Sequence, residues 1–470
     1  MLCLQAAILF FALDRLDPWT DEQFTADTVA HPVSEIIPIV KSDMHPPLYF
    51  VLLRLWPWST MPGLRAFSAM WAVFATLLLD LFWTRRWKPL ERWIALTAFA
   101  LSPCLLLYGR MARSYSMQIA LAIVCVALLE RWTRRPGSIA IAVAAAAASL
   151  ALLYTHYAPG LAILVGFALI AWRAIGLLRM ALFAAAVAIG YVPWMLTLLD
   201  AVRRLGGHSR FSAGYLFSGN VVTEQFIKVG FGVVSMTIGE SFFLLSVLLV
   251  PVLVVLTAIG IRSLPRRAVW TLAIATLLCY AVSSIWVSYP FIPGRMIWLL
   301  PFVTLALALG IARIHRPPVR WAIVAAIAVS FASSNVLYFR RENFLNLGYA
   351  APLRDMASML NRDVKPGDLI LMDYYNVDYP VLSKLLRAPS IALDDAGVTQ
   401  ARASMASAPR IWIVHTTRDV SPNSITTAIQ KEACSGRSRR DTLFEPLAGW
   451  QQSLTHLTHH YAITLCGPAP

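Results

Sequence analysis

The sequence predicts an α-helical, polytopic membrane protein of about eleven transmembrane helices with a small α/β domain at its C-terminal end. Three observations carry this reading. Of 470 residues, 58% are hydrophobic and only 14% charged, whereas a soluble surface needs roughly a quarter of the chain charged; the mean hydropathy is +0.63. Disorder is excluded on the same ground. Apolar runs recur along the first 338 residues, and the charge is arranged rather than spread. The net charge is +15, yet five short hydrophilic breaks, Arg85 to Arg92, Arg131 to Arg135, Arg173 to Arg179, Arg262 to Arg267 and Arg313 to Arg320, hold 15 Lys/Arg and a single acid, Glu91, while the rest has 25 basic against 24 acidic residues. Basic residues confined to alternate short loops are the signal that sets topology. Nucleic acid is therefore not the partner that the basic balance points to.

A span needs about 20 largely apolar residues. The candidates are Met1 to Leu13, Arg65 to Thr84, Trp93 to Tyr108, Ser114 to Leu129, Ile139 to Tyr154, Tyr157 to Trp172, Met180 to Leu199, Phe242 to Ile261, Ala268 to Val287, Met296 to Ala312 and Trp321 to Tyr338. The first is short, but it lacks the basic n-region and small-residue cleavage site of a signal peptide and is kept as a span. With the five basic loops in the cytoplasm, the other side receives a long first loop, residues 14–64, the short turns at Tyr108 to Arg113, Thr155 to His156 and Tyr289 to Arg295, the loop Asp200 to Ser241, and the tail. This places residues 1–338 in a membrane module of the inner membrane and residues 339–470 in a soluble extracytoplasmic domain.

In the tail, Arg354 to Leu360 reads as a helix, Pro366-Gly367-Asp368 as a turn, Leu369 to Met372 and Arg410 to His415 as strands, and Ser424 to Glu432 as a helix. No glycine-rich nucleotide motif occurs there. Cys434 and Cys466 share this domain, and an oxidising compartment permits a bridge between them. Cys3, Cys104, Cys125 and Cys279 fall in spans as packing residues.

The candidate chemistry collects at one face. Asp21-Glu22 follows the first span by a few residues; such a pair can deprotonate a hydroxyl or bind a metal, or it can simply begin a helix after Thr20. Asp43-Met44-His45-Pro46-Pro47-Leu48-Tyr49 puts an acid and an imidazole at the start of an aromatic helix, Leu48 to Trp58, where an anion is also welcome. Arg110, Arg113 and Arg295 sit in outer turns, against the positive-inside bias. Arginine suits fork-like binding of phosphate, and a lipid phosphate at the outer surface accounts for all three, as headgroup snorkelling also does. Tyr154, His156 and Tyr157 add polar groups at another outer turn.

Asp21-Glu22, the stretch Asp43 to Phe50 including His45 and Tyr49, Arg65 with Ser68, Ala112-Arg113-Ser114-Tyr115-Ser116, Tyr154-Thr155-His156-Tyr157 and Pro293-Gly294-Arg295 occur in the order found in a known family. The chain resembles the GT-C membrane glycosyltransferases, specifically the family-39-like branch that includes protein O-mannosyltransferases and lipid A aminoarabinose transferases. The resemblance covers Asp14 to Tyr338. It implies the GT-C fold, a polyprenyl-phosphate-linked sugar donor, a hydroxyl acceptor in the cell envelope, and inverting transfer on the outer face. It also implies Asp21 as the base, with Asp43 as its rival. Glu22, Asp43 and His45 would shape the sugar or acceptor site, and Arg113 and Arg295 would hold the donor phosphate. Tyr49, Arg65, Tyr115 and His156 join the substrate-binding set. No cofactor is assigned; two adjacent acids permit a divalent cation without demanding one. The competing reading is a multi-span transporter or flippase of a lipid-linked sugar. It would place charged or broken-helix sites near mid-membrane, where these spans carry almost no acids.

Overall fold

The computed structural model describes residues 1–43, 45–205, 221–285, 293–374, 376–417, 425–455 and 458–468. The chain divides into two compact units: Met1–Leu13 with Thr25–Val336, and Asp14–Phe24 with Leu337–Pro470.

The larger unit is helical and is an integral membrane domain. Among the described residues, six helices are long and apolar enough to cross a bilayer, or seven if a bent pair counts as one span. In order, the helices of the unit begin with α1 (Leu2–Phe10), α2 (Thr20–Ala30, whose first turn lies in the other unit), α3 (Val33–Ser42), α4 (Leu48–Arg54), α5 (Met61–Leu79), the bent pair α6 (Pro89–Ala100) and α7 (Pro103–Gly109), and α8 (Tyr115–Arg134). There follow α9 (Ile139–Leu153), α10 (Tyr157–Ile175), α11 (Leu177–Leu205), α12 (Val221–Thr237), α13 (Val250–Ile261), α14 (Arg266–Ile285), α15 (Leu300–Ala312) and α16 (Pro317–Arg340). Each predicted span contains a helix, although residues 11–13, 101–102 and 242–243 of those spans lie outside one. Several of them, α1 and α9 among them, are shorter than a full crossing needs. The aromatic helix expected from Leu48 to Trp58 ends at Arg54.

Two departures have local causes. The pair α6–α7 bends by 45° where Pro103 denies α7 a continuous helical ladder with α6. The segment expected as an outer loop, Asp200 to Ser241, contains α12, because Thr223, Gln225 and Lys228 interrupt the apolar run by which a span is recognised.

Helix α8 is the axis of the unit: 72% of its apolar window is buried, against 22% for the span ending in α13. It packs on α5 and α9, while α10 pairs with α14 and α13 with α15. Small residues set the close crossings. A Cβ on Gly260 would collide with the Ala306 carbonyl, one on Gly310 with the Leu256 carbonyl, and one on Gly166 would lie 2.6 Å from the Thr271 carbonyl. The short α1 is fixed at its C-terminal end by Arg110, 2% exposed. Its guanidinium donates to the carbonyls of Ile8 (2.8 Å), Leu9 (3.2 Å), Phe11 (2.6 Å) and Ala12 (2.5 Å). These include the acceptors that a helix end leaves open.

The smaller unit is a three-layer α/β domain. Strands β1 (Leu369–Asp373), β2 (Ser390–Leu393), β3 (Ile411–Thr416), β4 (Ser438–Pro446) and β5 (His459–Gly467) form one sheet in the order β2-β1-β3-β5-β4. The first three are parallel, and β5 runs antiparallel to β3 and β4. Because successive side chains alternate faces, Ile370 and Met372 pack under α17 (Leu353–Asp363) and α18 (Tyr379–Leu385), while Leu371 meets α19 (Gly397–Met405) and α20 (Ile425–Ala433) on the other face. The last helix is α21 (Gly449–Thr455). Cys434 and Cys466 are bonded, with Cα atoms 5.0 Å apart.

Candidate active site

In the membrane unit the site grows from the turn before α8. Arg113 is 7% exposed. Its guanidinium lies 2.6 Å from His45 Nε2 and donates to Thr25 Oγ1 at 3.3 Å. A guanidinium only donates, so His45 Nε2 must carry the lone pair and the proton sits on Nδ1, 2.7 Å from Asp43 Oδ2. Asp43, His45 and Arg113 thus form a chain in which the carboxylate fixes the tautomer that orients the guanidinium. The Arg113 backbone is held as well. Ser68 donates to its carbonyl at 3.1 Å, leaving Tyr49 as the donor in the 2.7 Å Tyr49–Ser68 bond, and Ser116 donates to the Ser68 carbonyl at 2.7 Å.

Two further residues face this group. His156 precedes α10, in a turn tied to the start of α4 by Leu48 N–H donating to the Tyr154 carbonyl at 3.0 Å. Burial, with His45, Arg295 and Arg113 as cationic or protonatable neighbours, pushes its imidazole down to about 3, so it is neutral at ordinary pH. Arg295 follows Gly294, where a Cβ would lie 2.8 Å from Tyr115 Cε1 and 3.0 Å from Tyr108 Cε1. Only glycine lets this segment rest on the two rings, which pack edge to face at 5.2 Å. Arg295 Nη1 and His156 Nδ1 are both buried without a hydrogen-bond partner. Unpaired buried polar groups are costly, and the guanidinium N–H of Arg295 in the same group as Arg113 forms a setting that an anion completes.

Beneath Tyr115 lies a carboxyl that sequence reasoning missed. Glu240 accepts from Tyr108 Oη at 2.6 Å and from Ser235 Oγ at 3.1 Å. Burial pushes it up to about 7, against the lowering effect of those two donors. The available signal was an acid flanked by apolar residues at the mouth of a predicted span. Arg65 is placed elsewhere than the His45 group: its Nη1 donates to the Leu13 carbonyl at 2.7 Å, at the exit from α1.

In the smaller unit, Asp21 and Glu22 occupy the first turn of α2. The cap there is Asp378, which accepts from Thr20 N–H at 3.2 Å and Thr20 Oγ1 at 2.6 Å. Burial, then the neighbouring Asp21 and Glu22, push the Asp378 carboxyl up to about 6, against the Thr20 bonds. The segment is anchored by Asp17, 5% exposed, which accepts from Arg354 N–H at 2.9 Å and meets Arg354 Nε at 3.0 Å. Trp19 packs edge to face on Tyr349 at 5.3 Å. Asp378 had no signal in the local sequence, because the residue it caps is 358 positions away. Among the described residues no group of three or more His, Cys, Asp or Glu side chains gathers to hold a metal ion, so the divalent cation that the sequence permits finds no donor set there.

No protein family matches the sequence, and no curated protein matches it either. Solved structures do. The chain is similar to ArnT from Cupriavidus metallidurans in the apo state, with a TM-score of 0.54 at 12% identity over 98% of this chain and 96% of that one. It is similar to the same protein bound to undecaprenyl phosphate, with a TM-score of 0.53 at 13% identity over 98% and 96%. The apo oligosaccharyltransferase of Archaeoglobus fulgidus gives a TM-score of 0.48 at 13% identity over 88% of this chain and 68% of that one. The chain has the GT-C fold. Within this GT-C chain the membrane unit brings together Asp43, His45, Tyr49, Arg113, Tyr115, His156 and Arg295, whereas Asp21 and Glu22 belong to the smaller unit.

Proposed function

We propose that the protein is a membrane glycosyltransferase that moves a sugar from a polyprenyl-phosphate-linked donor to a hydroxyl of an envelope lipid, glycan or protein, with inversion, on the outer face of the inner membrane. The observation that carries the reading is the pair of guanidinium groups of Arg113 and Arg295, with Arg295 Nη1 buried and without a hydrogen-bond partner, in a fold shared with a structure that holds undecaprenyl phosphate. A departing polyprenyl phosphate is already a stable anion. It needs charge stabilisation more than a proton, and preorganised guanidinium groups supply it. His45, with Asp43 beside it, meets the Arg113 guanidinium through Nε2 and fixes its direction.

The acceptor hydroxyl loses its proton as the new bond to the anomeric carbon forms, and Asp21 takes it. Two features support Asp21. It is half-buried rather than sealed, and it lies in the first turn of α2, where a neighbouring carboxyl, Asp378, caps the helix. Glu22 and Asp43 orient the acceptor and the sugar, and the polar groups of Tyr49, Tyr115 and His156 line the donor path.

The test uses the purified protein in nanodiscs with undecaprenyl phosphate as the probe, alongside mass spectrometry of envelope glycans and glycolipids from cells carrying each variant. Arg113→Ala and Arg295→Ala should weaken undecaprenyl phosphate binding by roughly ten- to a hundredfold, with Arg→Lys rescuing only in part. Asp21→Asn should leave that binding intact and lower product formation by about 10²–10⁴-fold. Normal binding by both alanine variants would remove the arginines from the donor site. A normal product level with Asp21→Asn and none with Asp43→Asn would move the base to Asp43.

A further inference from the structure

Arg113 stands in the turn before α8, and Arg131, Arg134 and Arg135 stand at or just beyond its C-terminal end. Sixteen residues at 1.5 Å each separate Tyr115 from Arg131 along the helix, about 24 Å, so these arginines lie at the other end of the bundle. There they line a cavity of about 1440 Å³ together with Arg85, Arg86 and Arg313. Six arginines face only two carboxylates, Glu91 and Glu130, a surplus of four positive charges.

Part of that charge is matched within the fold. Arg134 pairs with Glu130 at 3.1 Å, Arg131 stacks over the Phe82 ring at 4.7 Å, and Arg313 donates to the Ile259 carbonyl at 3.3 Å. Arg85, Arg86 and Arg135 are exposed, and among the described residues none pairs with a carboxylate. The wall between the arginines is apolar, with Trp87, Ile141, Leu264 and Leu309.

The positive-inside bias accounts for basic residues at this end, but not for their convergence. Arg173, Arg179, Arg266 and Arg267 satisfy the same bias without lining the cavity. Like charges collected at the edge of a low-dielectric slab repel one another, and a phosphate relieves the repulsion while guanidinium forks meet its oxygens. A phosphate presented at headgroup depth, beside an apolar wall that can take the glycerol and first acyl carbons, is the chemistry of a membrane lipid. We propose that this basin binds the headgroup of an anionic glycerophospholipid from the leaflet opposite the candidate active site.

The test is native mass spectrometry of the full chain from nanodiscs of phosphatidylglycerol and phosphatidylcholine in equal amounts. The expected result is retained phosphatidylglycerol in preference to phosphatidylcholine by about tenfold or more. Arg85→Gln, Arg86→Gln and Arg135→Gln combined should abolish the preference. Arg173→Gln, Arg179→Gln and Arg266→Gln combined, with the same charge lost at the same end, should keep it. If the triple basin variant fails to insert, Arg86→Gln alone should reduce the preference measurably. Equal loss in both triple variants would reduce the basin to topology charge and overturn the proposal. So would no preference between the lipids. Displacement of the lipid by millimolar inorganic pyrophosphate would also overturn it, in favour of a soluble phosphate.

Discussion

Glu445, on β4, shows how a single buried carboxyl makes a domain sensitive to pH. Burial pushes it up to about 9 from the ordinary carboxyl value of 4.5, against the lowering effect of Arg341, and both carboxylate oxygens are buried without a hydrogen-bond partner. The folded-state value lies above the unfolded one, so the folded state binds the proton more tightly. Its contribution to stability is complete below about 4.5 and is lost as pH rises through about 9. Thermal unfolding of the C-terminal unit in the full chain, followed by hydrogen exchange, should therefore show a midpoint that falls between pH 5 and 9. Glu445→Gln should flatten that slope and raise the midpoint at pH 8; an unchanged slope would remove Glu445 from the account. Glu445 was illegible beforehand because β4 reads as a polar stretch, Ser438 to Pro446, and nothing local says which of its acids loses its water. His45 and Arg113, which the structure groups, each had a sequence signal, an imidazole in the stretch Asp43 to Tyr49 and an arginine in a turn expected on the outer side.

Among the elements, the crossing of α13 and α15 is set by Gly260 and Gly310, each facing a backbone carbonyl of the other helix. Van der Waals packing drives association between helices in lipid, so close backbone approach matters more there than propensity. Gly310→Val should push the pair apart, lowering the thermal stability of the detergent-solubilised protein by several degrees. Gly137→Val, where an added Cβ meets nothing within 4 Å, should leave it unchanged. Equal behaviour of the two variants would mean that the crossing contributes little. The apolar runs located the helices because a bilayer selects for length and hydrophobicity. They did not reveal α12, with its polar Gln225 and Lys228, or β5, which is recognisable as a strand only once β3 and β4 flank it.

For the whole molecule, the charge asymmetry predicts the side on which each end of the bundle lies. A reporter fused at Pro470 should read as extracytoplasmic, and non-reducing mass spectrometry of the natively purified protein should find Cys434 and Cys466 linked. A cytoplasmic reporter would invert the topology and carry the proposed site with it. The overall architecture was legible because hydropathy and charge act over tens of residues. The composition of the smaller unit was not, since its eleven-residue contribution from Asp14–Phe24 is held by contacts such as Asp17 with Arg354, 337 positions apart. That separation has a consequence for biogenesis. At roughly 5–20 residues per second of synthesis, Asp17 emerges tens of seconds before the ribosome reaches Arg354. During that interval the segment carrying Asp21 waits, tethered to a newly inserted α1 and without its eventual neighbours. A chain stalled just after α16 would retain the helices described for the membrane unit and yet lack Arg354 and Asp378, the partners of its acidic segment.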